Sequence, residues 1–255
     1  MKYLLTIVLC GLLTSTSYPQ TWKNYFGGNY IYAIDKIDSI LVVGVDHQVV
    51  AINAITGENQ YLMPPANTNG ECLAYENVAI DGEFNIWIGG DFYSNAGLYK
   101  YSDSLWQHYN ISNSTLPSNY LQGFYMDHST NTFWLESGNT TGTFSGTDFD
   151  SLGNYAGPRV TDKYHNLWIA KYETGLIKYD GNSFTVYNNE NSDLQLQSIK
   201  NITADSTGKI WFSLEKTDEW GYDLHYSIGT FDGINWVEYT TENSNLPYMN
   251  NILNL

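Results

Sequence analysis

The sequence predicts an all-β fold, a β-propeller of about five four-stranded blades, and three observations carry that reading. An Asp, a polar turn, an apolar residue and a Trp recur together, from Asp81 to Trp87, Asp127 to Trp134, Asp162 to Trp168 and Asp205 to Trp211. A weaker copy runs from Asp35 to Leu41, and the five copies repeat every 42 residues or so, the spacing of propeller blades. Around them, apolar and polar residues alternate in short runs punctuated by Gly and Asn, as half-buried strands do. The composition agrees: 22 Tyr, 8 Trp and 22 Gly with only 15% charged residues suit many strands and turns, and are too aromatic for a disordered chain.

Residues 1–17 read as a secretory signal, with Lys2 before an apolar core from Leu4 to Leu13 and small residues up to a cleavage point after Ser17. That core is too short to span a bilayer, and no later run is longer, so no membrane insertion of the mature chain is expected. The chain is therefore expected to be secreted, periplasmic or at the cell surface. Cys10 lies in the signal core behind the large Leu9, which argues against lipid attachment. Cys72 is then alone, so the fold is expected to hold by packing, with Cys72 as a small buried hydrophobe.

Residues 18–255 form one propeller domain, with blades at approximately 27–65, 74–112, 119–155, 157–190 and 197–241. In the second, strands are expected at 77–81, 86–90, 97–101 and 105–109. The fourth repeats them at 167–170, 175–181 and 184–187, and the fifth at 210–213, 228–233 and 236–239. The first and third are degenerate. Trp22 to Phe26 resembles an outer strand and Tyr248 to Leu255 an inner strand without the rest of a blade, so an incomplete ring, or part of a larger one, stays open. The N-terminal strand is expected to pair with the fifth blade or to lie against its outer edge.

Each Asp is expected to accept hydrogen bonds from backbone N–H groups of the turn that follows it. Each Trp is expected to be a buried wedge between neighbouring blades, with Trp87, Trp134, Trp168 and Trp211 equivalent.

The repeats resemble the two-component-regulator propeller family. The resemblance rests on the junctions Asn113 to Asn119 and Asn243 to Pro247, on the segment from Asp81 to Gly89, and on Gly-Leu-x-Lys-Tyr at 97–101 and 175–179. In that family the propeller often forms the outer sensor of a membrane histidine kinase, and similar repeats occur in stand-alone secreted proteins. This sequence carries no kinase segment or transmembrane helix, so the stand-alone form is the one implied.

The formal charge is −16, from 11 basic and 27 acidic residues, and Arg159 is the one arginine. Such a chain cannot neutralise phosphates, so no nucleic-acid partner is expected. In a propeller, the loops between second and third strands and between blades share one face, and that mouth is the default ligand site. It points to Asp46, His47, Asp91, Tyr93, Lys171, Tyr172, Trp220, Tyr222 and His225 as ligand-binding candidates, with Glu136 and Asn139 nearby and 215–226 as the longest loop. A carbohydrate or a protein partner fits this aromatic and polar mixture. No cofactor, metal site or catalytic residue is assigned. Two alternatives remain open: a metal-assisted lyase or hydrolase using His47 or His225, since streptogramin lyases have comparable repeats with a His and a metal near the mouth, and a structural segment of a larger surface protein or sensor. His128 and His165 fall in turns at the opposite face.

Overall fold

The computed structural model describes residues 30–45, 48–65, 77–90, 96–196, 198–217 and 224–247. The first sheet contains β1 (Ile31–Ile37), β2 (Ile40–Val45), β3 (Gln48–Asn53) and β4 (Asn59–Leu62). The second contains β5 (Asn77–Ile80), β6 (Ile86–Gly90), β7 (Gly97–Ser102) and β8 (Leu105–Tyr109). The third contains β9 (Leu121–Asp127), β10 (Thr132–Ser137), β11 (Thr140–Phe144) and β12 (Phe149–Gly153). The fourth contains β13 (Arg159–Thr161), β14 (Leu167–Lys171), β15 (Gly175–Tyr179) and β16 (Phe184–Tyr187), and the fifth β17 (Ile199–Ala204), β18 (Ile210–Thr217), β19 (Leu224–Phe231) and β20 (Trp236–Tyr239). Every sheet is an antiparallel meander in chain order. The inner strands pack in succession, β1 on β5, β5 on β9, β9 on β13 and β13 on β17. Among the described residues β17 does not pack back on β1, so the five blades form an open arc.

The apolar–Trp–apolar triplet near the start of the second strand in the last four sheets explains how the sheets stack. Side chains alternate across a strand, so the Trp points to one neighbour and its flanking residues to the other. Trp87 packs on Phe133 and Leu135, which flank Trp134. Trp134 packs on Leu167 and Ile169, which flank Trp168, and Trp168 on Ile210 and Phe212, which flank Trp211. The ring centroids of Trp87 and Phe133 are 4.9 Å apart. The sheet-to-sheet core is thus one wedge motif used three times.

A carboxylate sets each wedge. Asp162 Oδ1 accepts the backbone N–H groups of Tyr164 at 2.8 Å and Asn166 at 3.0 Å, while Oδ2 accepts the Trp168 indole N–H at 2.8 Å. Asp81 does the same with Glu83, Asn85 and Trp87, and Asp205 with Thr207, Lys209 and Trp211. Asn85 and Asn166 add side-chain donors to the same carboxylates. The outer strand completes the unit with a Tyr stacked on the Trp: Tyr109 on Trp87 at 5.9 Å, Tyr187 on Trp168 at 5.7 Å and Tyr239 on Trp211 at 6.0 Å. Gly97 and Gly175 open the third strands at φ +142° and +109°, where a Cβ would run into the main-chain oxygen of Tyr109 or Tyr187.

Three expectations need correction, and the third repeat, where Asp127 accepts a turn N–H as expected, differs in detail. The first repeat is out of phase: β1 and β2 are joined by the two-residue turn Asp38–Ser39, against the five residues 81–85 in the second. Asp35 therefore lies inside β1, and Leu41 faces away from the second sheet with Val43, Val45, Val50 and Ile52. Val42 takes the wedge position, against Ile86 and Ile88. In the third repeat Asp127 itself pairs with Thr132 in the ladder, and Trp134 follows it by seven residues instead of six. Asp127 then bonds Ser129 and Thr130, and the buried Trp134 indole N–H is left without a partner. Trp211 occupies the equivalent position but is only half-buried, because no described sheet follows the fifth. Finally, the loop expected at 215–226 is shorter, since Glu215, Lys216 and Thr217 pair with Tyr226, His225 and Leu224. Residues 1–29 and 248–255, with both terminal strand readings, and Cys72 lie outside the described residues.

The carboxylate network makes two outcomes checkable. Asp162→Ala strands an indole, an amide and two backbone donors in a buried setting, and should lower stability by about 3 kcal/mol in denaturant unfolding. Asp127→Ala, which strands no indole, should cost less. Thr207 and the Trp211 indole depress the Asp205 carboxyl well below the usual carboxylate range, and the Asn235 backbone and side chain bring Asp232 to about 2. A depressed folded value means that the stabilisation is fully present above the unfolded Asp value of about 3.9 and is lost as pH falls through the folded one. Asp205→Asn should therefore flatten the loss of stability between about pH 4 and pH 2, measured by urea titrations across that window.

Candidate functional site

The inner strands begin, and the second strands end, at one end of the arc, which is the mouth. There β1, β5 and β9 enclose a cleft of about 410 Å³ lined by Ile31, Tyr32, Ala33, Ile34, Asn77, Val78 and Phe124. A register shift in β1 between Ile31 and Ala33 lies in its wall. Tyr32 and Ile34 are exposed, as is Tyr30 just outside β1, with its ring 6.4 Å from that of Tyr32. Phe124 is held from behind by Phe133 at 5.1 Å. No charged side chain lines the cleft among the described residues. An aromatic wall with an amide and a phenol can stack on a ring or an aliphatic chain and hydrogen-bond its polar groups.

The rim beside the cleft is stitched in place. Gln122 Nε2 donates to Asn139 Oδ1 at 2.7 Å, and Ser137 Oγ donates to the Ser118 carbonyl at 2.7 Å while accepting the Ser118 N–H. Glu136 and Arg159 form a buried ion pair between the third and fourth sheets, each side chain 7% exposed. Glu136 also accepts the Gly157 N–H, and Arg159 Nε donates to the Gly157 carbonyl at 3.1 Å. Burial pushes the Arg159 guanidinium down and Glu136 pushes it back up.

Of the residues expected at the mouth, Lys171 and Tyr172 are described fully. Lys171 Nζ donates to the Asn154 carbonyl at 2.7 Å and lies 5.7 Å from the Tyr155 ring, so it braces a junction. Tyr172 is exposed in the β14–β15 turn, with Lys200 Nζ 5.7 Å from its ring, and Lys200 reaches Glu215 at 3.7 Å. These residues sit on the fourth and fifth sheets, apart from the cleft among the first three. His225 is placed only by its pairing with Lys216 in β19. Asp46, His47, Asp91, Tyr93, Trp220 and Tyr222 lie outside the described residues. The cleft residues Tyr32, Asn77 and Phe124 were missed because inner-strand alternation reads as ordinary strand. Tyr30 and Tyr32, alternating with Ile31 and Ala33, were the one available signal.

The opposite end of the axis is closed by polar groups. Asp35 accepts the Ile80 N–H at 2.8 Å and meets His128 Nε2 at 2.9 Å, which ties the first sheet to the second and third. Ser129 Oγ, bonded to Asp127, lies 3.1 Å from His165 Nδ1 on the fourth. The Ser hydroxyl sits between carboxylate and imidazole, so this is not the carboxylate–imidazole–hydroxyl order that activates a nucleophile. Among the described residues no group of three or more His, Cys, Asp or Glu is placed to hold a metal ion, and no helix is long and apolar enough to cross a membrane.

Comparison with solved structures places this arc among propellers. It is similar to the extracellular domain of BT3049, assigned to a hybrid two-component system of B. thetaiotaomicron, with a TM-score of 0.59 at 20% identity over 82% of this chain and 28% of that one. The extracellular domain of BT4673, assigned to a one-component system of the same organism, gives 0.54 at 12% identity over 87% of this chain and 36% of that one. Virginiamycin B lyase from Staphylococcus aureus gives 0.50 at 13% identity over 82% and 84%. This chain therefore spans about a third of the length of these two extracellular domains. No family model and no curated protein matches the sequence.

The buried ion pair yields a test at this site. Glu136→Ala leaves the Arg159 charge buried and should cost about 3–5 kcal/mol in denaturant unfolding, whereas Glu136→Leu with Arg159→Met together should recover most of that loss.

Proposed function

We propose that the protein is a non-catalytic recognition module working outside the cytoplasm, secreted, periplasmic or at the cell surface, which binds a carbohydrate or a protein partner through the mouth. The observation that carries this reading is the cleft of about 410 Å³ with its Tyr32, Asn77 and Phe124 lining. Its size suits one or two sugar rings or a short side-chain cluster, and its neutral lining suits an uncharged ligand surface. The signal-like residues 1–17 and the likeness to the two extracellular domains support the location. Trp220, Tyr222 and His225 belong to the same mouth in this reading and extend the contact surface beyond the cleft.

A glycan array on the purified protein, followed by calorimetric titration of the best ligand, tests the proposal. Tyr32→Ala and Asn77→Ala should each weaken binding roughly tenfold, about 1.4 kcal/mol, without shifting the melting temperature. Binding unchanged in both variants would move the site elsewhere on the surface. An empty array would leave the protein-partner form or a structural segment of a larger surface protein. Stoichiometric bound metal that disappears with His225→Ala would instead favour the metal-assisted lyase or hydrolase.

A further inference from the structure

The fifth sheet is built to be covered, and no described residue after Pro247 covers it. Its outward face carries Thr203, Trp211, Ile228, Val237 and Tyr239, in the register that puts Ala79, Trp87, Leu98 and Tyr109 against the third sheet. The wedge is fully assembled, with Asp205 on the Trp211 indole at 2.9 Å and Tyr239 stacked at 6.0 Å. In the earlier sheets this unit lies in the core, with Trp87 and Trp168 at 5% and 4% exposure and Leu98 and Leu176 at 0%. Here Trp211 and Ile228 are half-buried and Val237 is exposed.

A second observation says what belongs there. The turn after β20 is folded with the hydrogen bonds of the turns that lead into β9 and β17. Asn243 Oδ1 accepts the Thr240 N–H at 2.8 Å and its Nδ2 donates to the Glu238 carbonyl at 2.9 Å. Asn113 holds Asn110 and His108 in the same way, each at 2.8 Å, and Asn191 holds Asn188 and Val186, each at 2.8 Å. Ser244 and Ser114 each donate to the carbonyl four residues back. Both earlier turns deliver the chain to an inner strand that packs on the preceding sheet, and their apolar residues Leu116 and Leu196 are buried beside Trp87 and Trp168. Leu246 lies three residues after Asn243, as the buried Leu116 and the half-buried Leu194 do after Asn113 and Asn191, and is half-buried.

We propose that the Trp211 face is the docking surface for the inner strand of a sixth sheet, formed by Tyr248 to Leu255 of this chain. The interval from Asn113 to Leu121 equals that from Asn191 to Ile199, and the same interval from Asn243 reaches Asn251, just ahead of Ile252, Leu253 and Leu255. Ile252 and Leu255 repeat, one residue later, the spacing of Leu121 and Phe124, which pack beside Trp87, and of Ile199 and Ile202, which pack beside Trp168. The covering partner is apolar β-strand, as at the three interfaces already present.

Hydrogen exchange of the whole chain, read by mass spectrometry, tests this. Amides of 251–255 should exchange roughly tenfold or more slowly than in the free peptide, because a docked strand opens only by local unfolding. Trp211→Ser should abolish that protection. So should Ile252→Asp, which changes the segment and not the five sheets, and amides of the first four sheets should be unaffected in both. Exchange at the free-peptide rate in the unmodified protein would overturn the proposal. Protection that survives Ile252→Asp would overturn it too, and protection that vanishes on dilution would assign the face to a second copy of the chain.

Discussion

A carboxylate bonded to an indole six residues along is the interaction on which the rest of the structure depends. One Asp side chain accepts two backbone N–H groups of its turn, which fixes the hairpin, and the indole N–H of the Trp, which fixes the direction of the wedge. A Trp that paid nothing to bury its N–H could be large and apolar at once, and this arrangement comes close to that condition. Hairpin shape and sheet-to-sheet packing are thereby set by the same few atoms. The third repeat shows the limit of the device. Its extra residue between Asp127 and Trp134 moves the carboxylate out of reach, yet the wedge still packs on Leu167 and Ile169. Apolar contact places the ring, and the carboxylate lowers the cost of placing it.

Where the repeat gives up the motif, its residues take on work between sheets. The short Asp38–Ser39 turn removes Asp35 from hairpin duty, and its carboxylate bridges the second and third sheets through Ile80 and His128. The fourth sheet is bound to the third by the Arg159–Glu136 pair at the mouth and by the Ser129–His165 contact at the far end. The cleft opens beside the one sheet that carries Val42 in place of a Trp wedge, where β1 presents Tyr32 and Ile34 to solvent. Loss of the repeat and appearance of a cleft thus coincide in the first sheet.

The strands of the second, fourth and fifth repeats were legible in the sequence because period-2 alternation and turn residues are local signals. The Trp–Asp bond was written there too, as the offset of six in the second, fourth and fifth repeats, but a spacing does not say which atoms meet. Leu41 misled because the offset was kept while the turn shortened, and only turn length decides which face a strand residue takes. The exposure of Trp211 could not be read at all, since it depends on whether another sheet follows. The Asp35–His128 pair joins residues 93 apart in the chain through curvature of the arc, which no window of sequence contains. At the candidate site, expectation went to loops because loops carry function in most scaffolds. The cleft among the described residues is instead walled by inner strands, whose residues obey the same alternation as any other strand.

An open arc of this kind can be stable because each sheet contacts only its neighbours. Stability in such an array is close to a sum of sheet terms and nearest-neighbour interface terms, as in other repeat proteins. Three Trp interfaces and the Val42 interface hold five sheets together without a closing contact among the described residues, and the polar ties at the far end restrain their angles. The cost of openness then falls on the two ends rather than on the array. At the first sheet, the face of Val43, Val45, Val50 and Ile52 is buried. At the fifth, the assembled Asp205–Trp211–Tyr239 unit is only partly covered, so the end sheets differ in their solution to the same physical problem. An interface that is repeated along the chain is self-contained, and the sheet with no described successor shows the complete half of it.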